Sequence, residues 1–266
     1  MRHRPSRPTT GSTDTTSGLV FGANPVLELL RAAPRALERV WVVARTAGAE
    51  RVVAEARTHG VVLETVERAH LDRLSGGGHH QGVAARTRPF TYATLDAVLD
   101  SGRSLLVALD GITDPQNLGA IIRSAEVLGA GGLILPRDRS AGVSPAVFRV
   151  SSGAAAHLPI ALVVNLVRAL ASAKERGYWI VGLDPGGSST FQELPRLERV
   201  ILVVGSEDKG VRPLVREACD FVVRIPIRGR VASLNASTAT AIGLYVLSER
   251  LGGAADGGRA EGERDG

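Results

Sequence analysis

From Ser104 onward, short apolar runs alternate with amphipathic stretches, and this pattern most restricts the fold. Strands are predicted at Leu105–Leu109, Gly132–Leu135, Tyr178–Leu183, Val200–Val204 and Phe221–Ile225. Helical periodicity falls near 117–129, 145–154, 164–176, 211–218 and 236–250. Strands apolar on both faces, separated by helices, imply an α/β fold with a mostly parallel sheet covered on both sides. No repeat at solenoid spacing is present.

Residues 18–91 read as a smaller α/β unit. Asn24-Pro25 is expected to cap a helix, with proline at its first position. Val40–Ala44, Val61–Val66 and Gly82–Arg86 are strand candidates, and Glu50–Thr58 is a helix stopped by Gly60. The domain boundary is expected in a linker at 92–103, and the larger domain at 104–251. Residues 1–17, rich in Pro, Ser, Thr and Arg, and residues 252–266, mostly Gly, Ala and charge, are expected to be a disordered arm and tail.

Composition removes several classes. Cys219 is the single cysteine among 266 residues, so neither an internal disulfide framework nor a multi-cysteine zinc site is possible. No H-x₃-H spacing occurs and His79 and His80 are adjacent, so no metal is expected. No apolar run reaches the roughly 18–20 residues that cross a bilayer, and the first residues lack a signal-peptide core. A soluble cytoplasmic protein is expected. The net charge of +5 is compatible with a polyanionic partner. All basic residues but Lys174 and Lys209 are arginine, however, which also fits a compositional bias.

The common nucleotide signatures are absent. No G-x-G-x-x-G follows the first strand of the larger domain, and Gly205-Ser-Glu-Asp-Lys-Gly210 continues as Val-Arg instead of Lys-Ser/Thr. No G-x-S-x-G elbow occurs. Three constellations remain. In Asp110–Glu126, Asp114 can cap a helix with Pro115 at its first position, and Leu118, Ile121, Ile122, Ala125 and Leu128 form its buried stripe. Asn117 lies in the first turn, where free N–H groups favour an anion. Arg123 sits about 9 Å further along the axis. It can reach back over the helix end or pair with Glu126 on a solvated face. In Val200–Gly210 an apolar strand runs into a glycine-bounded acidic turn. That turn either meets a ligand at the carboxyl end of the sheet or is a connection capped by Ser206 or Asp208. In Phe221–Thr238 a strand ends at Pro226 and a basic turn leads to Ser233-Leu-Asn235. Asn235 can simply cap the next helix, and Arg228 and Arg230 can meet phosphate or water.

In this order and spacing, Asn117 with Arg123, Gly205-Ser-Glu207 and Ser233-Leu-Asn235-Ala-Ser237 closely resemble the three motifs of the SPOUT superfamily. The match is to the TrmH-type RNA ribose 2′-O-methyltransferases and covers about residues 18–250. The unit ending His80-Gln-Gly-Val83 is similar to that family's small RNA-binding domain, itself like a ribosomal protein. This points to the subgroup acting on a guanosine of 23S ribosomal RNA. The resemblance implies a trefoil-knotted C-terminal domain and a homodimer with its active site near the subunit interface. It also implies S-adenosylmethionine in a pocket lined by Gly205, Ile225 and Leu234. Arg123, Asn117, Glu207, Ser233 and Asn235 take the family's catalytic positions. Asp208, where relatives often have Gly, and the arginines flanking Gly229 depart from the pattern and leave the RNA target open.

The implied reaction moves a methyl group to a ribose 2′-hydroxyl, so negative charge grows on that oxygen. Neutralising Arg123 to serve as a base at pH 7 costs roughly 7 kcal/mol or more. A cationic Arg123 that binds phosphate and stabilises the developing alkoxide is cheaper. Asn117 and Ser233 would orient the ribose or Arg123, Asn235 would support the site, and Glu207 would hold Arg123 or Asn235. Three other readings stay open: a tRNA 2′-O-methyltransferase, an antibiotic-resistance rRNA methyltransferase, or a non-catalytic RNA-binding assembly factor.

Overall fold

The computed structural model describes residues 18–206, 210–231 and 233–256. The smaller unit comprises β1 (Leu19–Phe21), α1 (Ala23–Ala32), β2 (Leu37–Val42), α2 (Ala47–Thr58), β3 (Leu63–Thr65), α3 (Arg68–Ser75) and β4 (Val83–Thr87). Its sheet has the order β1-β4-β2-β3, with β4 antiparallel to both neighbours and β2 parallel to β3. Side-chain alternation divides the strands between two faces. Val20, Val40, Val42, Val83 and Ala85 join the core under α1 and α2, whereas Leu19, Trp41 and Ala84 face Leu71 of α3.

One local expectation fails here. Helix α1 starts at Ala23, not after Asn24, and Gly22 occupies the cap position at φ 105° without a side-chain cap bond. The Gly22 N–H donates to Val83 O at 3.0 Å, so sheet pairing fixes the start of the helix. Pro25 then falls in the first turn, where no N–H is required. Residues 92–103, the expected linker, carry an element of their own. They contain α4 (Leu95–Leu99), capped by Thr94, with Val98 and Leu99 fully buried in the larger unit. The Tyr178 hydroxyl fastens this stretch through Leu99 O and Arg103 O.

The larger unit continues with β5 (Leu105–Asp110), α5 (Pro115–Val127), β6 (Leu133–Pro136), α6 (Pro145–Val150), β7 (Ile160–Val163) and α7 (Leu166–Glu175). There follow β8 (Trp179–Leu183), β9 (Ser189–Thr190), β10 (Val200–Gly205), α8 (Pro213–Glu217), β11 (Phe221–Arg224) and α9 (Ala236–Asp256). The seven-stranded sheet has the order β7-β6-β5-β10-β8-β11-β9, and every neighbouring pair is parallel. The central strands β5 and β10 are buried along their whole length. Leu105, Val107, Leu109, Val200, Leu202 and Val204 face the core shared with α5 and α9, and Leu106, Ala108, Ile201 and Val203 face the core shared with α4 and α7. Each fully buried large aliphatic contributes about 1.5–3 kcal/mol of transfer free energy.

The first of these cores runs without a break from α1 into α5 and α6. At the joint, His157 lies 2.8 Å from Glu28, and a Cβ on Gly153 would come within 2.3 Å of Glu28 Cβ. Among the described residues, no helix is long and apolar enough to cross a membrane.

Candidate active site

The carboxyl ends of β5, β10, β8 and β11 converge, and loops from all four meet there. A cavity of about 620 Å³ opens among them, a volume suited to a small organic ligand. Gly205, Ile225, Ser233 and Leu234 all line it, with Leu183 and Val204 adding apolar wall and Asp184 and Ser206 adding polar groups. Gly205 cannot carry a side chain. A Cβ would come within 2.0–2.2 Å of Gly210 C and O and Val211 N, because the turn folds back on itself through a Ser206–Gly210 bridge.

Beside the cavity, the α5 and α9 N-termini are joined by side chains. Asn117 is 8% exposed in the first turn of α5, and its Oδ1 accepts from Asn235 Nδ2 at 3.0 Å. Asn235 Oδ1 in turn accepts from Ser237 N at 2.9 Å and Ser237 Oγ at 2.6 Å. One amide thus caps α9 and ties it to α5. Asp114 caps α5 as expected, accepting from Gln116 N at 2.9 Å. Arg123 stands apart. It lies on the exposed side of α5, does not line the cavity, and makes no ion pair with Glu126 or any other described residue. Glu207 lies outside the described residues. Arg228 and Arg230 are exposed.

Two carboxylates that sequence reasoning missed hold the glycine turn. Asp110, at the end of β5, is 1% exposed and accepts from the Arg212 backbone N at 2.8 Å and Arg212 Nε at 2.6 Å. Asp184, just past β8, accepts from Gly186 N at 2.8 Å and Val211 N at 3.2 Å, and pairs with Arg216 at 2.8 Å. Burial pushes the Asp184 carboxyl up, but those N–H groups and the Arg216 guanidinium outweigh it and hold it below its ordinary value. The missed signal was a Leu-Asp pair closing each apolar strand, at 109–110 and 183–184. In a parallel sheet that is the ligand-facing edge. Among the described residues, no cluster of three or more His, Cys, Asp or Glu is placed to hold a metal ion.

A parallel sheet with a ligand-sized cavity at its carboxyl edge, preceded by a small mixed α/β unit, defines a class of two-part α/β proteins. Comparison with known proteins gives the family. Residues 104–245 match the SpoU rRNA Methylase family and residues 19–93 match the RNA 2′-O ribose methyltransferase substrate-binding domain. An uncharacterized tRNA/rRNA methyltransferase of Mycobacterium avium is 43% identical over 94% of this chain and 82% of its own length. A namesake from Mycolicibacterium gilvum is 45% identical over 90% and 78%. Among solved structures, the SpoU methyltransferase AviRb of Streptomyces viridochromogenes, in complex with AdoMet, superposes with a TM-score of 0.74. It is 26% identical, over 90% of this chain and 91% of that one. An RNA 2′-O ribose methyltransferase superposes at 0.71 with 28% identity over 88% of each. The chain belongs to the SpoU rRNA methylase family and is an RNA methyltransferase.

Proposed function

We propose that this protein transfers the methyl group of S-adenosylmethionine to the 2′-hydroxyl of a guanosine in 23S ribosomal RNA, as a cytoplasmic homodimer. The observation that carries the reading is the convergence of Gly205, Ile225, Ser233 and Leu234 on one cavity beside the Asn117–Asn235 bond. The cavity fits the cofactor chemically. Its apolar wall suits a purine, the bare Gly205 backbone permits close approach, and Ser206 and Ser233 offer hydroxyls. When bound, the cofactor supplies a methyl group on a positively charged sulfur. The relative crystallised with AdoMet and the RNA 2′-O ribose methyltransferase of similar fold support the same chemistry. The trefoil knot of the C-terminal domain belongs to this proposal.

The chain's own residues then have distinct tasks. The Arg123 guanidinium holds a phosphate of the RNA and stabilises the negative charge developing on the 2′-oxygen as the hydroxyl proton passes to water. Asn117 and Ser233 orient the ribose. Asn235 fixes Asn117 and the start of α9, and Glu207 steadies Arg123 or Asn235. The position of Arg123 supports a dimeric site. It shares an exposed strip with Val127, 70% exposed, and the neighbouring helix adds Ile242 and Tyr245, 37% and 57% exposed. Pairing two such strips would bury this apolar face and bring Arg123 towards the partner subunit.

Calorimetric titration with S-adenosylmethionine tests these roles. Wild type and Arg123→Ala are expected to bind it equally, while the variant loses methyl transfer by a factor of about 10³ or more, as for one removed transition-state donor. Absence of cofactor binding by the wild type, or near-normal turnover by the variant, would contradict the assignment.

A further inference from the structure

Past the segment Gly210–Arg212 lies a second and larger concavity. Gly210 faces the cavity already described, whereas Arg212 lines a groove of about 890 Å³ at the carboxyl ends of β6 and β7. Its walls carry Arg139, Val164, Asn165, Arg212 and Leu214. Arg212 is a built element of this groove. Its backbone N–H and its Nε bind the two oxygens of buried Asp110, and Nη2 lies 2.5 Å from Oδ1. Two guanidinium contacts to one oxygen of a buried carboxylate, with the backbone N–H on the other oxygen, orient the guanidinium while 40% of the side chain stays exposed. Nη1 has no hydrogen-bond partner among the described residues.

Around this oriented guanidinium stand two of the most exposed aliphatic side chains of the protein, Val164 at 69% and Leu214 at 70%. Arg139 is exposed at φ 60° and makes no ion pair among the described residues. Asp138 and Glu217 are the acids on the wall, and exposed Arg137 and Arg168 lie next to lining residues. A flat, oriented guanidinium and exposed aliphatic surface suit the face of an unstacked base, and unpaired arginines suit its phosphate. The mixture of charge with isolated apolar side chains differs from the apolar α5–α9 face. A second copy of the chain would favour that face.

We propose that this groove holds a nucleotide of single-stranded RNA flanking the methylated one. This rests on the RNA methyl-transfer reading. With the cofactor cavity on one side of residues 210–212 and a base platform on the other, the RNA would be gripped next to its reacting ribose.

The test measures affinity of the full chain for an unmodified 23S rRNA transcript at two salt concentrations. Arg139→Glu, and Val164→Glu with Leu214→Glu, alter exposed side chains and should leave folding and S-adenosylmethionine binding intact, checked by melting and titration. Each is expected to weaken RNA binding about tenfold, the loss of one contact. Arg139→Glu should also reduce the salt slope by roughly one, and Arg139→Lys should restore it. RNA affinity within twofold of wild type for both variants would overturn the proposal. So would loss of the dimer in place of RNA binding, which would make the groove a subunit interface. Binding is read without turnover, so a wild type that binds 23S rRNA but transfers no methyl group would count against the functional reading and not against the groove.

Discussion

Asp184 shows how one carboxylate stabilises the ligand edge of the sheet. It gathers two backbone N–H groups and Arg216, and its ionised form is favoured in the folded state. A depressed folded pKa contributes stability that is fully present above the unfolded value near 3.8 and is lost as pH falls through the folded value. Asp184→Asn is therefore expected to lower stability at pH 7 by about 1 kcal/mol, a partly exposed pair being heavily screened. The gap to wild type should close as pH drops below about 4. Denaturant melts at pH 7 and pH 3 check this, and a gap that widens in acid would reverse the sign. Cys219 is the opposite case: burial, then neighbouring Asp220, push its thiol to about 11. Alkylation at pH 8 should run about 100-fold slower than for a free thiol of pKa 9, since rate follows thiolate fraction. A rate within tenfold of a free thiol would show the side chain to be open to solvent.

At the scale of elements, legibility followed the length and purity of the apolar signal. β5 and β10 were plain because six consecutive residues are buried, leaving no polar position to confuse the pattern. β9 has two residues and exists only through its pairing with β11, which no local pattern reveals. α3 buries Leu71 alone, so it carries almost no apolar signal. The Asn24-Pro25 signal was sound chemistry overruled by the Gly22–Val83 hydrogen bond. The motifs of the candidate site could be located by order and spacing, but their assembly could not. The Asn117–Asn235 bond spans 118 residues, and the carboxylates that brace the turn come from two other strands. The α5–α6 contact is equally non-local. A Cβ on Gly119 would lie 2.6 Å from Val150 Cβ and 3.1 Å from Val147 O. Helix propensity favours Gly119→Ala by about 1 kcal/mol, but overpacking against a branched side chain costs about 1–3 kcal/mol. The clash should win, lowering Tm by roughly 2–4 °C per kcal/mol and reducing methyl transfer by displacing α5. A variant more stable than wild type would mean that α6 yields freely.

Across the whole molecule, the small unit and the sheet domain share one core, so an RNA held by the first is presented to the second at a set distance. The exposed Val127, Ile242 and Tyr245 strip is expected to close a homodimer. Tyr245→Asp should shift sedimentation towards the monomer and lower activity, with cofactor binding preserved. A variant that stays dimeric would place the interface elsewhere. The central claim is tested most directly by transfer from labelled S-adenosylmethionine to unmodified 23S rRNA and to tRNA, with the product mapped by resistance of the adjacent phosphodiester to alkali. The expected result is a single protected guanosine in 23S rRNA. Label confined to tRNA would contradict the proposed target, and label at an alkali-sensitive position would contradict ribose methylation itself.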